Sequence, residues 1–300
     1  MSKTIFTIGF IIIIVVTVCT FWQNDITYWY THTFNENKYQ SVKANEYFLD
    51  DNFSYVNNYT DNDVSNKKQL IDLIYYFINS GADKIDAYCV KEYTDCIKDL
   101  ESISKDQEAL SIFNNFVHPY NSFSKLSFSY DEYGNFTISN NKIYSNEMIN
   151  EINKIIDEYI SKNISSSLKD SEKLKLIHDF IIDNTKYDKL KVDNIEDETY
   201  NSENAYGVLV EHYGICSGYA DTMAIFLNKL GIINYKISND EHIWNLAYVD
   251  NKWVHIDLTW DDPVTENDIN RTDYFMIDTK TLQELDEEHD FNTYIFEEAK

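Results

Sequence analysis

Two runs, EHIWNLAYV and KWVHIDLTWDDP, are dense in β-branched and aromatic residues, and only Asp250-Asn251 lies between them. Such runs read as strands, and so short a connection makes them an antiparallel hairpin. With an even loop of two or four residues centred on Asp250-Asn251, Val249 faces Lys252. Counting outward, Trp244 then faces Asp257 and His242 faces Thr259. His242 and Asp257 share a face and lie diagonally, about 7–8 Å apart along the backbones, within reach of an imidazole–carboxylate hydrogen bond. A slip of one residue would put them on opposite faces.

The stretch before the hairpin, GICSGYADTMAIFLNKLGI, carries Ala220, Met223, Ala224, Leu227 and Leu230 at three- and four-residue steps, with Gly231 as a stop signal. Cys216 falls in the first turn of this expected helix. Unpaired backbone N–H groups and the positive end of the helix dipole favour an anion there, so a thiol of ordinary pKa about 8.5 is drawn towards the thiolate. A lone cysteine also serves as a small core hydrophobe, so its partners decide. A thiolate for attack, an imidazole to carry the proton and a carboxylate to fix its tautomer make a nucleophilic triad from Cys216, His242 and Asp257. His255 is two residues from Asp257, and with His242 and Cys216 these groups also compose a zinc-type donor set. A cysteine-first helix followed by a His/Asp hairpin fits nucleophilic catalysis better, so neither metal nor cofactor is expected.

In the order GICSGYA, HIWN, WVHIDLTWDDP, these residues resemble the transglutaminase-like superfamily of papain-fold cysteine enzymes. They are more closely similar to bacterial transglutaminase/protease-like proteins whose relatives are linked to cytokinesis. The resemblance extends upstream through KLKLIHDFIIDNTKYD and SENAYGVLVEHYG and downstream to TDYFMIDTKTLQELDEEHDF, and weakly from His118-Pro119, covering residues 117 to 290. It implies that Cys216 is the nucleophile, His242 the general base and acid, and Asp257 the orienting carboxylate. It also implies an oxyanion donor at Tyr187, in NTKYD, beside the backbone N–H of Cys216; simple packing is the other reading of Tyr187. Trp244, Trp253, Trp260 and Tyr219 read as core or cleft wall, and His178 as a satisfied structural histidine. Asp261 and Asp262, before Pro263, read as turn residues.

The rest of the chain bounds the setting. With 51 acidic and 25 basic residues the formal charge is −26, which repels nucleic acid and attracts cationic or amine-bearing peptides and proteins. Lys3 precedes an uncharged apolar run over residues 5–22, read as a single-pass membrane anchor with the body outside the cytoplasm. A cleaved signal peptide, giving a secreted protein, is the alternative, although no A-x-A-like site follows the run. Export permits a disulfide, for which Cys89 and Cys96 are the candidate pair.

The sequence divides into 1–24 (anchor), 25–116 (an α+β region without assigned role, its lead-in to Asn66 a loose stalk), 117–165 (hairpin and helix) and 166–290 (catalytic core). Asp61-Asn62-Asp63-Val64-Ser65 resembles a calcium loop, but without its glycine and glutamate it reads as a helix start. Helices are expected over 67–80, 97–116, 147–164 and 171–184, and strands over 84–90 and in SKLSFSY and NFTISN. Strands and helices mix without βαβ alternation, so the fold class is α+β. The functional expectation is acyl transfer from peptide or glutamine amides at the cell envelope, ending in hydrolysis or amine transfer. The alternative is a non-catalytic scaffold of the envelope or division apparatus that retains the fold.

Overall fold

The computed structural model describes residues 42–262 and 271–300, together with Val16, Thr17, Thr20, Trp22 and Ile26. Apart from four of those isolated positions, the expected anchor over 5–22 lies outside the described residues, as does Pro263. Among the described residues no helix is long and apolar enough to cross a membrane.

The first part of the chain runs β1 (Asp63–Val64), α1 (Lys67–Asn79), β2 (Lys84–Cys89), α2 (Cys96–Lys105), α3 (Gln107–Ser111), β3 (Phe123–Tyr130) and β4 (Asn135–Lys142). Asn66 starts α1 as a cap, its side chain accepting from the Gln69 N–H at 3.0 Å. The 61–66 stretch thus holds β1 at Asp63–Val64 and ends, at Asn66, as a helix start. The single helix expected over 97–116 is broken. Asp106 ends α2 in an extended conformation and caps α3 through the Ala109 N–H, and a 3₁₀ turn over Ile112–Asn115 follows. Cys89 and Cys96 form a disulfide with Cα atoms 5.9 Å apart, stapling the end of β2 to the start of α2. The sheet order is β1-β2-β4-β3, with β1 parallel to β2 and the rest antiparallel.

Next come α4 (Asn146–Asn163), α5 (Asp170–Asn184), β5 (Lys186–Tyr187), α6 (Lys189–Asp193), β6 (Tyr213–Gly214) and α7 (Cys216–Lys229). The chain closes with β7 (Asn234–Ser238), β8 (Ile243–Val249), β9 (Lys252–Ile256), α8 (Leu258–Asp261), β10 (Phe275–Ile277) and α9 (Thr279–Leu285). The second sheet is ordered β10-β9-β8-β7. Val249 pairs with Lys252, so the β8–β9 loop has two residues, the shorter of the expected lengths. Asp250 and Asn251 both have positive φ, 50° and 68°, the left-handed pair that a tight hairpin requires and that Asp and Asn tolerate.

The two faces of this second sheet feed different cores. Ala247, Val249, Val254 and Ile256 pack with α4, α5 and α7, including Ile152, Ile177, Met223 and Phe226. Tyr235, Ile237, Trp244 and Leu246 pack with α1 and the first sheet, and with Phe53, Val56 and Phe116. Ring contacts of Tyr235 with Phe53 (5.1 Å) and Phe116 (5.0 Å) carry this core across the boundary expected at 116/117. Nor is the second half of the lead-in a loose stalk: residues 42–66 have little regular structure, yet Phe53 and Val56 are buried.

Candidate active site

Helix α7 is buried from Gly218 through Leu227, which is why its apolar stripe is broad. Asn245 on β8 donates to the Ala220 carbonyl at 2.9 Å, and Lys236 on β7 pairs with Asp221 at 2.5 Å, so the helix is tied to the sheet below its first turn. Above it runs the 201–205 loop. The Ile215 N–H donates to the Ser202 carbonyl at 2.9 Å, and a Cβ on Gly218 would stand 2.3 Å from that same carbonyl oxygen. Only glycine lets the helix start this close to the loop. Cys216 is the first residue of α7, a half-buried free thiol.

His242 immediately precedes β8, and Asp257 follows β9 as the cap of α8. The imidazole Nε2 lies 2.5 Å from Asp257 Oδ2. Cys216 and His242 border one small pocket, and with Nε2 committed to Asp257, Nδ1 is the nitrogen left for the thiol. Burial pulls the His242 pKa down, but the Asp257 carboxylate and the Cys216 contact outweigh it and raise the group to about 10. Burial pushes Asp257 up, and the two histidines it bonds more than reverse this, lowering it to about 2. The structure thus brings together Cys216, His242 and Asp257.

A further group escapes sequence reasoning. His289 Nε2 lies 2.8 Å from the same Asp257 Oδ2, and its Nδ1 lies 2.9 Å from Asp286 Oδ1. Its ring is boxed by Trp244, Trp260 and Tyr274 at centroid distances of 4.9, 4.9 and 5.2 Å. Asp257 Oδ1 accepts from the Thr259 and Trp260 N–H groups at 2.9 and 3.3 Å, so the buried carboxylate has partners on both oxygens. The one available signal was EEHDF inside the segment that carries the family resemblance.

His242, Asp257 and His289 also offer three donor atoms within 4.8 Å of one another, the one such group among the described residues. Their N···O separations of 2.5 and 2.8 Å are hydrogen-bond distances, whereas donors around a tetrahedral ion with bonds near 2.0 Å stand about 3.3 Å apart. The arrangement fits a hydrogen-bonded relay. His255 stands outside the group: it accepts from Trp244 Nε1 at 3.0 Å and bonds Thr279 Oγ1 at 3.0 Å.

Tyr187 is half-buried on β5, whose parallel pairing sets it against Gly214, two residues before the thiol. Burial, then the charges of Cys216 and Asp257, raise its phenol pKa. His178 is fully buried between Asp179 and Asp261 (2.9 and 3.1 Å), as a structural histidine should be. The turn reading of Asp261 is corrected. It is fully buried at the end of α8, accepting from His178 and, at 3.0 Å, from the Tyr274 N–H, while Asp262 accepts from the Tyr219 hydroxyl.

A cleft of about 1030 Å³ opens beside His242, with Tyr187 and Trp260 on its wall. Glu108, Asp240, Glu241, Glu287, Glu288 and Asp290 line it, and among the described residues no lysine or arginine does.

A buried helix that begins at a cysteine, packed on an antiparallel sheet that ends in a bonded His/Asp pair, defines a cysteine-type α+β core. Residues 158–258 match the family model of the transglutaminase-like superfamily, which supports placing this segment in that superfamily. No curated protein matches the chain. Among solved structures, one described as a TGase is 19% identical, covering 51% of this chain and 48% of its own, with a TM-score of 0.34. A candidate protease from Parabacteroides distasonis is 17% identical, covering 47% of this chain and 34% of its own, with a TM-score of 0.26. The chain therefore spans about half the length of the first and about a third of the second.

Proposed function

We propose that this protein is a cysteine-nucleophile acyl-transfer enzyme acting on amide bonds of peptides or proteins. The observation that carries the reading is that Cys216 and His242 share one pocket wall while His242 bonds Asp257 at 2.5 Å, all three within the superfamily-matched segment. The Cys216 thiolate attacks the amide carbonyl carbon. As the C–N bond breaks, the amine leaves with the proton that His242 Nδ1 supplies, and a thioester remains. Water then adds, passing a proton to His242 and releasing a carboxylic acid and the free thiol, or an amine adds instead and a new amide forms. The Cys216 N–H and the Tyr187 hydroxyl are the donors for the oxyanion. The six carboxylates of the cleft favour a substrate whose amine half is cationic. The Cys89–Cys96 disulfide and the apolar run over 5–22 support a body at the outer side of the cell membrane.

The test is labelling of the purified protein with iodoacetamide at neutral pH, followed by turnover of lysine-containing and neutral peptide amides with and without a biotinylated amine. Cys216 is expected to label ahead of a denatured reference thiol, and Cys216→Ala to lose all turnover. Turnover that survives Cys216→Ala overturns the reading, and a protein that labels but turns over nothing supports the scaffold role.

A further inference from the structure

On the Cys216 side the site opens into a second pocket of about 320 Å³, lined by Cys216 and Ser217 together with Ser122, Asp221 and Lys236. His242 borders both this pocket and the acidic cleft. Of these two, Cys216 borders the small pocket, and Tyr187 and Trp260 border the cleft. An amide whose carbonyl carbon meets Sγ and whose nitrogen takes its proton from His242 therefore has its acyl half in the small pocket and its amine half in the cleft.

Two side chains of the small pocket carry hydrogen-bonding capacity that the fold does not use. Ser122 is 1% exposed, and among the described residues its hydroxyl has no partner. Lys236 is 4% exposed; its ammonium has three donors, and among the described residues Asp221 Oδ1 takes one. Asp221 is itself fixed, because its other oxygen accepts from the Tyr144 hydroxyl at 2.6 Å and that hydroxyl accepts from the Ala205 N–H at 2.9 Å. The ammonium is thus held in place on the wall of the pocket that Cys216 also lines. Burying such groups without full partners costs stability that an apolar pair would not, so their presence at a pocket wall calls for a ligand.

We infer that this pocket receives the acyl residue of the substrate and selects one with a hydrogen-bond-accepting oxygen beyond the reacting carbonyl, held by Lys236 and Ser122. The inference rests on Cys216 being the nucleophile. Asp221 already balances the Lys236 charge, and Glu203 and Glu241 line the same pocket, so a neutral carboxamide fits better than a carboxylate.

The experiment uses three peptidyl chloromethyl ketones that differ only in the residue beside the ketone: glutamine, glutamate or norleucine. Cys216 labelling of the whole protein is followed by intact-mass spectrometry. The glutamine reagent is expected to label at least roughly tenfold faster than the norleucine reagent, with glutamate between them. In Ser122→Ala, and separately in the Lys236→Met/Asp221→Leu pair that leaves no unmatched charge, the glutamine-to-norleucine ratio falls towards one. A norleucine rate equal to the glutamine rate in the unaltered protein, or a ratio unmoved in both variants, overturns the inference alone. Failure of every reagent, iodoacetamide included, to label Cys216 removes the nucleophile and the inference with it.

Discussion

Asp257→Asn separates the electrostatic work of the site from its shape. The side chain is 2% exposed, so the amide occupies the same space. Its oxygen can still cap the Thr259 and Trp260 N–H groups, but its NH₂ is turned towards the Nε2 atoms of both His242 and His289, where donors meet a donor. The carboxyl sits at about 2 against an ordinary 3.8. At about 1.36 kcal/mol per pKa unit, the charge contributes roughly 2 kcal/mol to the folded state. Because the folded value is the lower one, that contribution is present above the unfolded carboxyl's pKa near 4 and is lost as pH falls through about 2. Urea unfolding should therefore find the variant about 2 kcal/mol less stable at pH 7, a melting shift of roughly 4–8 °C, with the gap narrowing below pH 4. Turnover should fall by about 10⁴, since the amide favours the wrong imidazole tautomer. Near-normal turnover, or equal stability at pH 7, would refute the assignment of Asp257 as the group that holds both histidines.

Three other outcomes are expected. The pKa of His242 is raised to about 10, so its pairing stabilises fully below about 6.5 and is lost as pH rises through 10; His242→Gln should abolish that alkaline loss in denaturant titrations between pH 7 and 11. Gly218→Ala drives a methyl against the Ser202 carbonyl, and should lower the melting temperature by several degrees and slow Cys216 alkylation, whereas Gly231→Ala should leave that alkylation unaltered. Asp261→Asn, isosteric but buried against His178 and the Tyr274 N–H, should destabilise by about 1–3 kcal/mol in urea unfolding.

What could be read from the sequence was what depends on near neighbours. The β8–β9 register follows from alternation and from a loop of two residues that tolerate positive φ, and it sets His242 against Asp257 without knowledge of anything distant. Cys216 announces itself because a glycine turn and a helical stripe meet at it. The Cys89–Cys96 bridge could be read from a short spacing and an expectation of export. His289 was hidden because it joins Asp257 across 32 residues through a box of rings drawn from β8, α8 and the stretch before β10. Asp261 was misread because Asp-Asp-Pro is turn chemistry, and nothing local shows that its carboxylate meets His178, 83 residues earlier. Asp106 split the expected helix over 97–116 because an aspartate inside a helical stripe can cap a new helix as readily as face solvent. The lead-in looked loose for want of periodicity, yet Phe53 and Val56 suffice as anchors.

The core shared between the first sheet and the second also sets a timetable for synthesis. Residues such as Phe53, Leu73 and Phe116 are finished by packing with Tyr235, Trp244, Phe291 and Phe296. At translation rates of about 5–20 residues per second, the interval between making Ile138 and making Phe296 is on the order of 10–30 s. During that interval the part of the core that packs on Tyr235, Trp244 and Phe296 lacks those partners. A nascent chain that has passed Asp257 but not His289 already carries Cys216 and His242 while the carboxylate between the histidines has one of them still unmade. The hydrogen-bonded set around Asp257 is thus completed late in synthesis, and premature termination after residue 260 yields a thiol-bearing fragment that lacks His289.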